Sequence, residues 1–301
     1  MKTNDFIKAL LIMLIWGVNF VAIKVGLRHI PPFALGALRF AAVAFPAMLF
    51  VPRPRLPLRW LLAYALTISF GQFTFLFIGM RVGMPAGLAS LVLQVSAPFT
   101  VIFSAYFFKE PVKIHQVLGM LVSTTGLVCL ATYSLAQRTP NAAEVSLIGF
   151  MLVVLAGALW ALGNVASKRI ARSTPVPLLS LVVWSAPVVV PLFALSALWF
   201  EGADVFTRVA QQFVWQDAAA IAYLAYLATI VGYVLWGNLL ARYPAPLVAP
   251  MTLMVPPIGL SAGFLLLGER LSAWQLAGIV LVMAGLLLNV FGARLRLFNR
   301  T

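Results

Sequence analysis

Ten runs of predominantly apolar residues fill this chain, at 6–26, 32–51, 60–80, 84–108, 114–133, 145–171, 177–200, 217–240, 244–267 and 272–292. Each is close to the roughly 20 residues that an α-helix needs to cross a bilayer. The runs are continuously apolar and do not alternate, which excludes membrane β-strands. The pattern therefore predicts an all-α integral membrane protein with ten transmembrane helices. After the seventh run, Val205, Phe206, Val209, Ala210, Phe213 and Val214 recur at helical spacing and predict a short interfacial helix.

Composition agrees with that pattern. Hydrophobic residues make up 63% of the chain and charged residues 9%, against about 25% charged in soluble domains. A net charge of +14 raises the question of nucleic acid. The basic residues lie between apolar runs and form no patch, so the expected partners are the bilayer and a small molecule, with no nucleic acid. The single cysteine, Cys129, excludes an intrachain disulfide. The first run is full length, contains Asn19 and ends in Lys24, unlike a cleaved signal peptide. With the N-terminus in the cytoplasm, fourteen Lys and Arg residues, Arg296 and Arg300 among them, fall on the cytoplasmic side. Six fall outside: Lys24, Arg28, Arg81, Arg138, Arg208 and Arg270. The positive-inside rule thus expects both termini in the cytoplasm. Glu144, Glu201, Asp204, Asp217 and Glu269 all fall outside on this reading.

The chain repeats itself. Trp16, Asn19 and Lys24 are echoed by Trp160, Asn164 and Lys168, with the Trp and Lys pairs 144 residues apart. Pro98, Glu110, Gln116, Gly119 and Gly126 recur 159 residues later as Pro257, Glu269, Gln275, Gly278 and Gly285. Two halves of five spans follow, 1–138 and 144–301. Five is odd, so the halves should insert in opposite orientations. Such inverted repeats place a binding site near the midplane and allow alternating access.

Candidate site residues are polar or aromatic groups deep in these runs. Trp16 lies about 15 Å into its run at 1.5 Å per residue, where an indole N–H needs a partner. Trp16 and Asn19 share a helix face, as do Trp160 and Asn164. They line a cavity or make polar contacts between packed helices. Arg39 lies about 12 Å deep, which is costly unless it faces protein or a wet cavity. Gln72, Phe75, Gln94, Tyr233 and Trp236 complete the candidate substrate-binding set. Pro98 and Pro257 should kink their helices, and kinked helices often form gates. Gly119/Gly126 and Gly278/Gly285 permit close helix approach, within the chain or in a homodimer.

Absences narrow the class. No Asp or Glu occurs inside any run, so there is no evident proton relay. Transport driven by the substrate gradient or by exchange is expected. No cofactor, metal or nucleophile motif is present, so an enzyme is not expected.

The chain resembles the EamA family of the drug/metabolite transporter superfamily. The likeness rests on Trp16-Gly17-Val18-Asn19-Phe20-Val21-Ala22-Ile23-Lys24, Leu38-Arg39-Phe40, Gly83-Met84-Pro85-Ala86-Gly87-Leu88-Ala89-Ser90, Gly268-Glu269-Arg270 and Gly285-Leu286-Leu287-Leu288-Asn289-Val290. It departs at Lys109-Glu110-Pro111, where the family pattern has Gly-Glu-Arg. The resemblance implies inner-membrane efflux through a central cavity, with spans five and ten outside it. It further implies amino acids and related metabolites as cargo, in the O-acetylserine and cysteine class. The same scaffold also carries drugs, nucleosides and other metabolites.

Overall fold

The computed structural model describes residues 1–136, 145–173 and 176–294. Arg138, Glu144, Arg296 and Arg300, which entered the charge count, lie outside the described residues, as do the ends assigned to the two halves. Ten helices are long and apolar enough to cross a membrane. They are α1 Thr3–Gly26, α2 Pro32–Leu49, α3 Leu58–Arg81, α4 Ala86–Phe108, α5 Ile114–Ala136, α6 Leu147–Ser173, α7 Leu178–Phe200, α8 Trp215–Arg242, α9 Ala249–Leu267 and α10 Ala273–Phe291. The short helix expected after the seventh run forms at Val205–Gln212 and buries Val205 and Val209. No strand occurs among the described residues.

α2 is regular only to Ala44, less than the run 32–51. Pro46 has no N–H to give, and a proline disfavours α-geometry in the residue before it. Phe45 is accordingly extended, and one turn re-forms at Ala47–Leu49.

Packing follows an exchange of halves. α1 packs on α9, and its counterpart α6 packs on the C-terminal part of α4. α3 packs on α6, and α8 packs on α1. α2 pairs with α7, and α5 pairs with α10. The α5–α10 seam uses all four glycines singled out above: a Cβ on Gly126 would lie 2.6 Å from Val282 N, and one on Gly119 2.6 Å from Gly285 O. They are taken up within the chain and give no reason to expect a dimer.

The repeat is visible residue by residue in α4 and α9. Ser96–Phe108 and Val255–Leu267 are both 13-residue helices, placed 159 residues apart. Each follows a 3-10 segment, Leu93–Val95 in one and Ala249–Met254 in the other. Pro98 and Pro257 explain both breaks: neither can donate to the carbonyl four residues earlier, on Gln94 or Leu253. Each helix ends on a left-handed residue, Lys109 at φ 57° and Gly268 at φ 69°. The departure at Lys109-Glu110-Pro111 therefore leaves the corner intact. A lysine there accepts a strain that glycine avoids.

Candidate functional site

α3 and α8, the third helices of the two halves, are underwound into π-helix at Ala65–Gly71 and Tyr223–Val231. This sets which side chains face inward. Tyr64 and Phe73 are nine residues apart, which at 3.6 residues per turn puts them on opposite sides of a helix. Wider π-turns, often found at functional sites, bring Tyr64, Ile68, Ser69 and Phe73 onto one face. With Arg39 and Phe40 of α2, Val182 of α7, and Thr229 and Tyr233 of α8, they line a small cavity of about 20 Å³ between the halves. That is room for about one water molecule, far below the roughly 300–1,000 Å³ of typical ligand pockets, so a ligand needs the lining helices to move apart.

Arg39 dominates this cavity. It is 5% exposed. Its Nη2 donates to Thr229 Oγ1 at 3.2 Å, and Thr229 Oγ1 donates in turn to Leu224 O at 2.8 Å. The guanidinium carbon lies 3.9 Å from the centre of the Phe73 ring, an ordinary cation–π distance. Nε and Nη1 have no acceptor. No acidic residue lines the cavity, and α7 carries no charge between Leu178 and Phe200 to match Arg39 from the other half. On the opposite wall Ser185 Oγ donates to Val182 O at 2.7 Å, so the 3.1 Å contact of Ser69 and Ser185 has Ser69 as donor.

Of the ten substrate-binding candidates, Arg39 and Tyr233 line this cavity. Trp16 stands behind Tyr233, with ring centroids 5.9 Å apart, and touches Trp236 at 5.3 Å. Its Nε1 donates to Ala228 O at 3.0 Å, a carbonyl within the π-segment of α8. Trp160 packs against the aromatic and aliphatic core and is not a lining residue. Gln72 is buried and Phe75 packs on the main core; Phe73 takes the lining position instead. A regular three-residue step from Ser69 selects Gln72 and Phe75, whereas the lining residues on α3 recur at 64, 68/69 and 73, the longer period of a π-turn.

Gln94 Nε2 donates to Thr252 O at 3.2 Å, joining the broken segments of α4 and α9. Asn164 Nδ2 donates to Thr100 Oγ1 at 3.2 Å. The residue 159 positions after Thr100 is Gly259, so the second half offers Asn19 no matching hydroxyl, and Asn19 Oδ1 is buried without a partner. Tyr64, Ile68, Phe73, Val182 and Thr229 escaped the sequence reading. For Tyr64 a signal existed: it is a tyrosine set within an apolar run.

The indole of Trp16 depends on Gly232, where a Cβ would lie 2.6 Å from Nε1. Gly232→Ala is expected to break the Trp16–Ala228 hydrogen bond and lower stability by about 1–2 kcal/mol. A double-mutant cycle on thermal midpoints checks this: in a Trp16→Phe background the alanine penalty should largely disappear. An equal penalty in both backgrounds would refute it.

The ends of the bundle are held by carboxylates. At the end where α4 begins, Glu269 accepts from Ala86 N at 2.6 Å and Gly87 N at 2.8 Å, capping the helix where its N–H groups lack partners. Lys24 Nζ donates nearby to Met80 O at 2.8 Å. Glu201 caps α2 through Phe33 N at 2.7 Å and Ala34 N at 3.0 Å; burial pushes its carboxyl up, against the pull of those two donors. At the other end Glu110, the repeat partner of Glu269, caps no helix. Lys168 and Arg172 of α6 donate to it, Arg172 at 2.7 Å. The hydrogen bond from Lys168 is the main cause holding the Glu110 carboxyl below its usual range.

The two ends also differ in packing. The first part of α4, Ala86–Val92, packs closely on Val255–Leu267 of α9. A Cβ on Gly87 would lie 3.0 Å from Leu260 Cα, and one on Gly259 would overlap Ser90 Oγ. The reverse pairing, Ser96–Phe108 on the turn Ala245–Val248, is not a packed contact among the described residues. Among the described residues, close packing of α4 on α9 across the cleft between the halves thus lies at the Glu269 end.

Comparison with known proteins places these features. The model of the EamA-like transporter family matches residues 6–132 and 147–291. A probable amino-acid metabolite efflux pump of Salmonella typhimurium is 48% identical over 297 residues, covering 98% of each chain. A protein of the same description from Escherichia coli is 46% identical over the same share. A probable terminal-alkyne amino-acid exporter of Streptantibioticus cattleyicolor is 28% identical and covers 96% of this chain and 94% of its own. One solved crystal structure matches with a TM-score of 0.63 at 22% identity, over 98% of this chain and 99% of its own, which bears on the fold alone.

Proposed function

Since this chain belongs to the EamA-like transporter family, a family of membrane transporters and not of enzymes, we propose that it exports amino acids and related metabolites across the bacterial inner membrane. O-acetylserine and cysteine are the proposed cargo class. The observation that carries this reading is Arg39, a buried guanidinium with two nitrogens lacking acceptors, beside hydroxyls and aromatic rings in a cavity between the halves. A buried charge without a partner is costly, and a bound carboxylate relieves that cost through charge-assisted hydrogen bonds. The efflux-pump relatives at 46–48% identity support the direction and the class.

In this proposal the halves are inverted, both termini lie in the cytoplasm, and alternating access is the mechanism. The packed end at Glu269 then faces outward and the looser end at Glu110 faces the cytoplasm. The breaks at Pro98 and Pro257 are the points about which α4 and α9 swing. With no carboxylate inside the cavity, transport follows the substrate gradient or exchange, without strict proton coupling.

The test is uptake of labelled cysteine and O-acetylserine by liposomes holding the purified chain. Saturable, exchangeable uptake is expected, and it should persist when an ionophore collapses the pH gradient. Absence of saturable uptake for either compound defeats the cargo assignment. Complete loss with the ionophore defeats the coupling.

A further inference from the structure

We infer that the cavity selects its ligand by the carboxylate and does not read the ammonium group, so that its substrate class is small carboxylates, of which amino acids are one subset. This rests on the proposed reading of the cavity as the transport site. A guanidinium carries five N–H donors. Thr229 takes one of them, while the one on Nε and the two on Nη1 have no acceptor. Buried donors in native proteins are almost always paired, and the planar fork of arginine matches the two oxygens of a carboxylate. The ligand carboxylate is the group that completes this pairing.

No acidic side chain in the cavity does the same for an ammonium. The cavity has no acid, and the described carboxylates are all engaged elsewhere, at helix ends or with basic side chains. Asp5 is held by Tyr243 at 2.9 Å, Asp204 by Arg208 at 3.2 Å and Asp217 by His29 at 3.2 Å, while Glu110, Glu201 and Glu269 have the partners given above. The rings and hydroxyls of Phe40, Tyr64, Ser69 and Tyr233 could contact a cation, but they share the cavity with the Arg39 guanidinium, which covers the Phe73 face at 3.9 Å and repels a second positive charge. A zwitterion in this cavity leaves one positive charge in excess. A monoanion that keeps the carboxylate and lacks the amine leaves none. The amine is tolerated and gives no specificity.

Cysteine and its trimmed analogues separate the two groups. The full-length chain in liposomes, loaded with labelled cysteine under reductant, would be challenged with 3-mercaptopropionate, which lacks the amine, and with cysteamine and cysteine methyl ester, which lack the free carboxylate. The first should compete at least as well as cysteine, and the other two at least 100-fold more weakly. Equal competition by cysteamine would overturn the inference and leave the proposed export standing. The same compounds would be tested by thermal stabilisation of the detergent-solubilised chain. Stabilisation by 3-mercaptopropionate and not by cysteamine, with no cysteine transport, would support the inference and sink the cargo assignment. Stabilisation by neither, without transport, would sink both. Arg39→Lys keeps the charge and serves as the variant most compatible with folding. It should weaken 3-mercaptopropionate at least tenfold and leave cysteamine unchanged, a split that a merely structural arginine would not produce.

Discussion

Gly285→Leu is expected to yield almost no folded protein. A Cβ at this position would lie 2.6 Å from Gly119 O and 2.8 Å from Ser123 Cα. Both are backbone atoms of the facing helix and cannot rotate aside. Within lipid no hydrophobic force draws α5 and α10 together, so their association rests on close van der Waals packing through small residues. A leucine pushes the helices apart along the whole seam. Overpacking costs about 1–3 kcal/mol for a few extra methylenes in a core that can adjust; a rigid backbone contact places this change above that range. Total stabilities are only about 5–15 kcal/mol. Size-exclusion profile and melting temperature in detergent provide the check. Leu287→Ala, on a side chain that is 45% exposed, should stay within about 0.5 kcal/mol. A monodisperse Gly285→Leu protein with an unchanged melting temperature would remove the seam from the account.

Glu269→Ala is expected to release the packed end. It deletes two hydrogen bonds from the backbone N–H groups of Ala86 and Gly87 to a carboxylate. Bonds to charged groups contribute about 1.5–3 kcal/mol each, and water replaces part of that, so a net loss of about 2 kcal/mol is reasonable. That corresponds to a shift of roughly 30-fold toward the open state. Ser90, 1% exposed and packed on Gly259, reports the opening. In a Cys129→Ser, Ser90→Cys background, labelling by an impermeant maleimide applied from the Glu269 side should rise by about that factor. Glu110→Ala should leave the same labelling unchanged. Equal labelling with and without Glu269 would reduce its carboxylate to a surface cap.

Much of the architecture was legible because it depends on local quantities. Ten runs of sufficient length gave ten helices, and the exchange of halves in the packing follows the repeats at 144 and 159 residues. Pro98 and Pro257 marked the two breaks because a missing N–H acts within four residues of itself. The site was less legible. The surroundings of Arg39 come from α3, α7 and α8, and its hydroxyl partner Thr229 is 190 residues away. The π-segments leave no compositional mark, so the step from Ser69 led to Gln72 and Phe75 in place of Phe73. The paired tryptophans looked equivalent and both pack against the core, yet Trp16 also donates a hydrogen bond to α8 at Ala228 O.

Glu110 and Glu269 show where the boundary lies. Their register is identical and their corners share a left-handed residue, but one caps a helix and the other is held by Lys168 and Arg172. Sequence by itself determined what each segment can do alone: enter the membrane as a helix, break at a proline, repeat its partner. Segment hydrophobicity and backbone donors are properties of the local chain, which is the reason. Only the tertiary structure decided which end of the cleft is closely packed, which side chains reach the cavity and which carboxylate has a helix to cap. Those outcomes depend on distances between helices far apart in the chain, which no local property of either half sets.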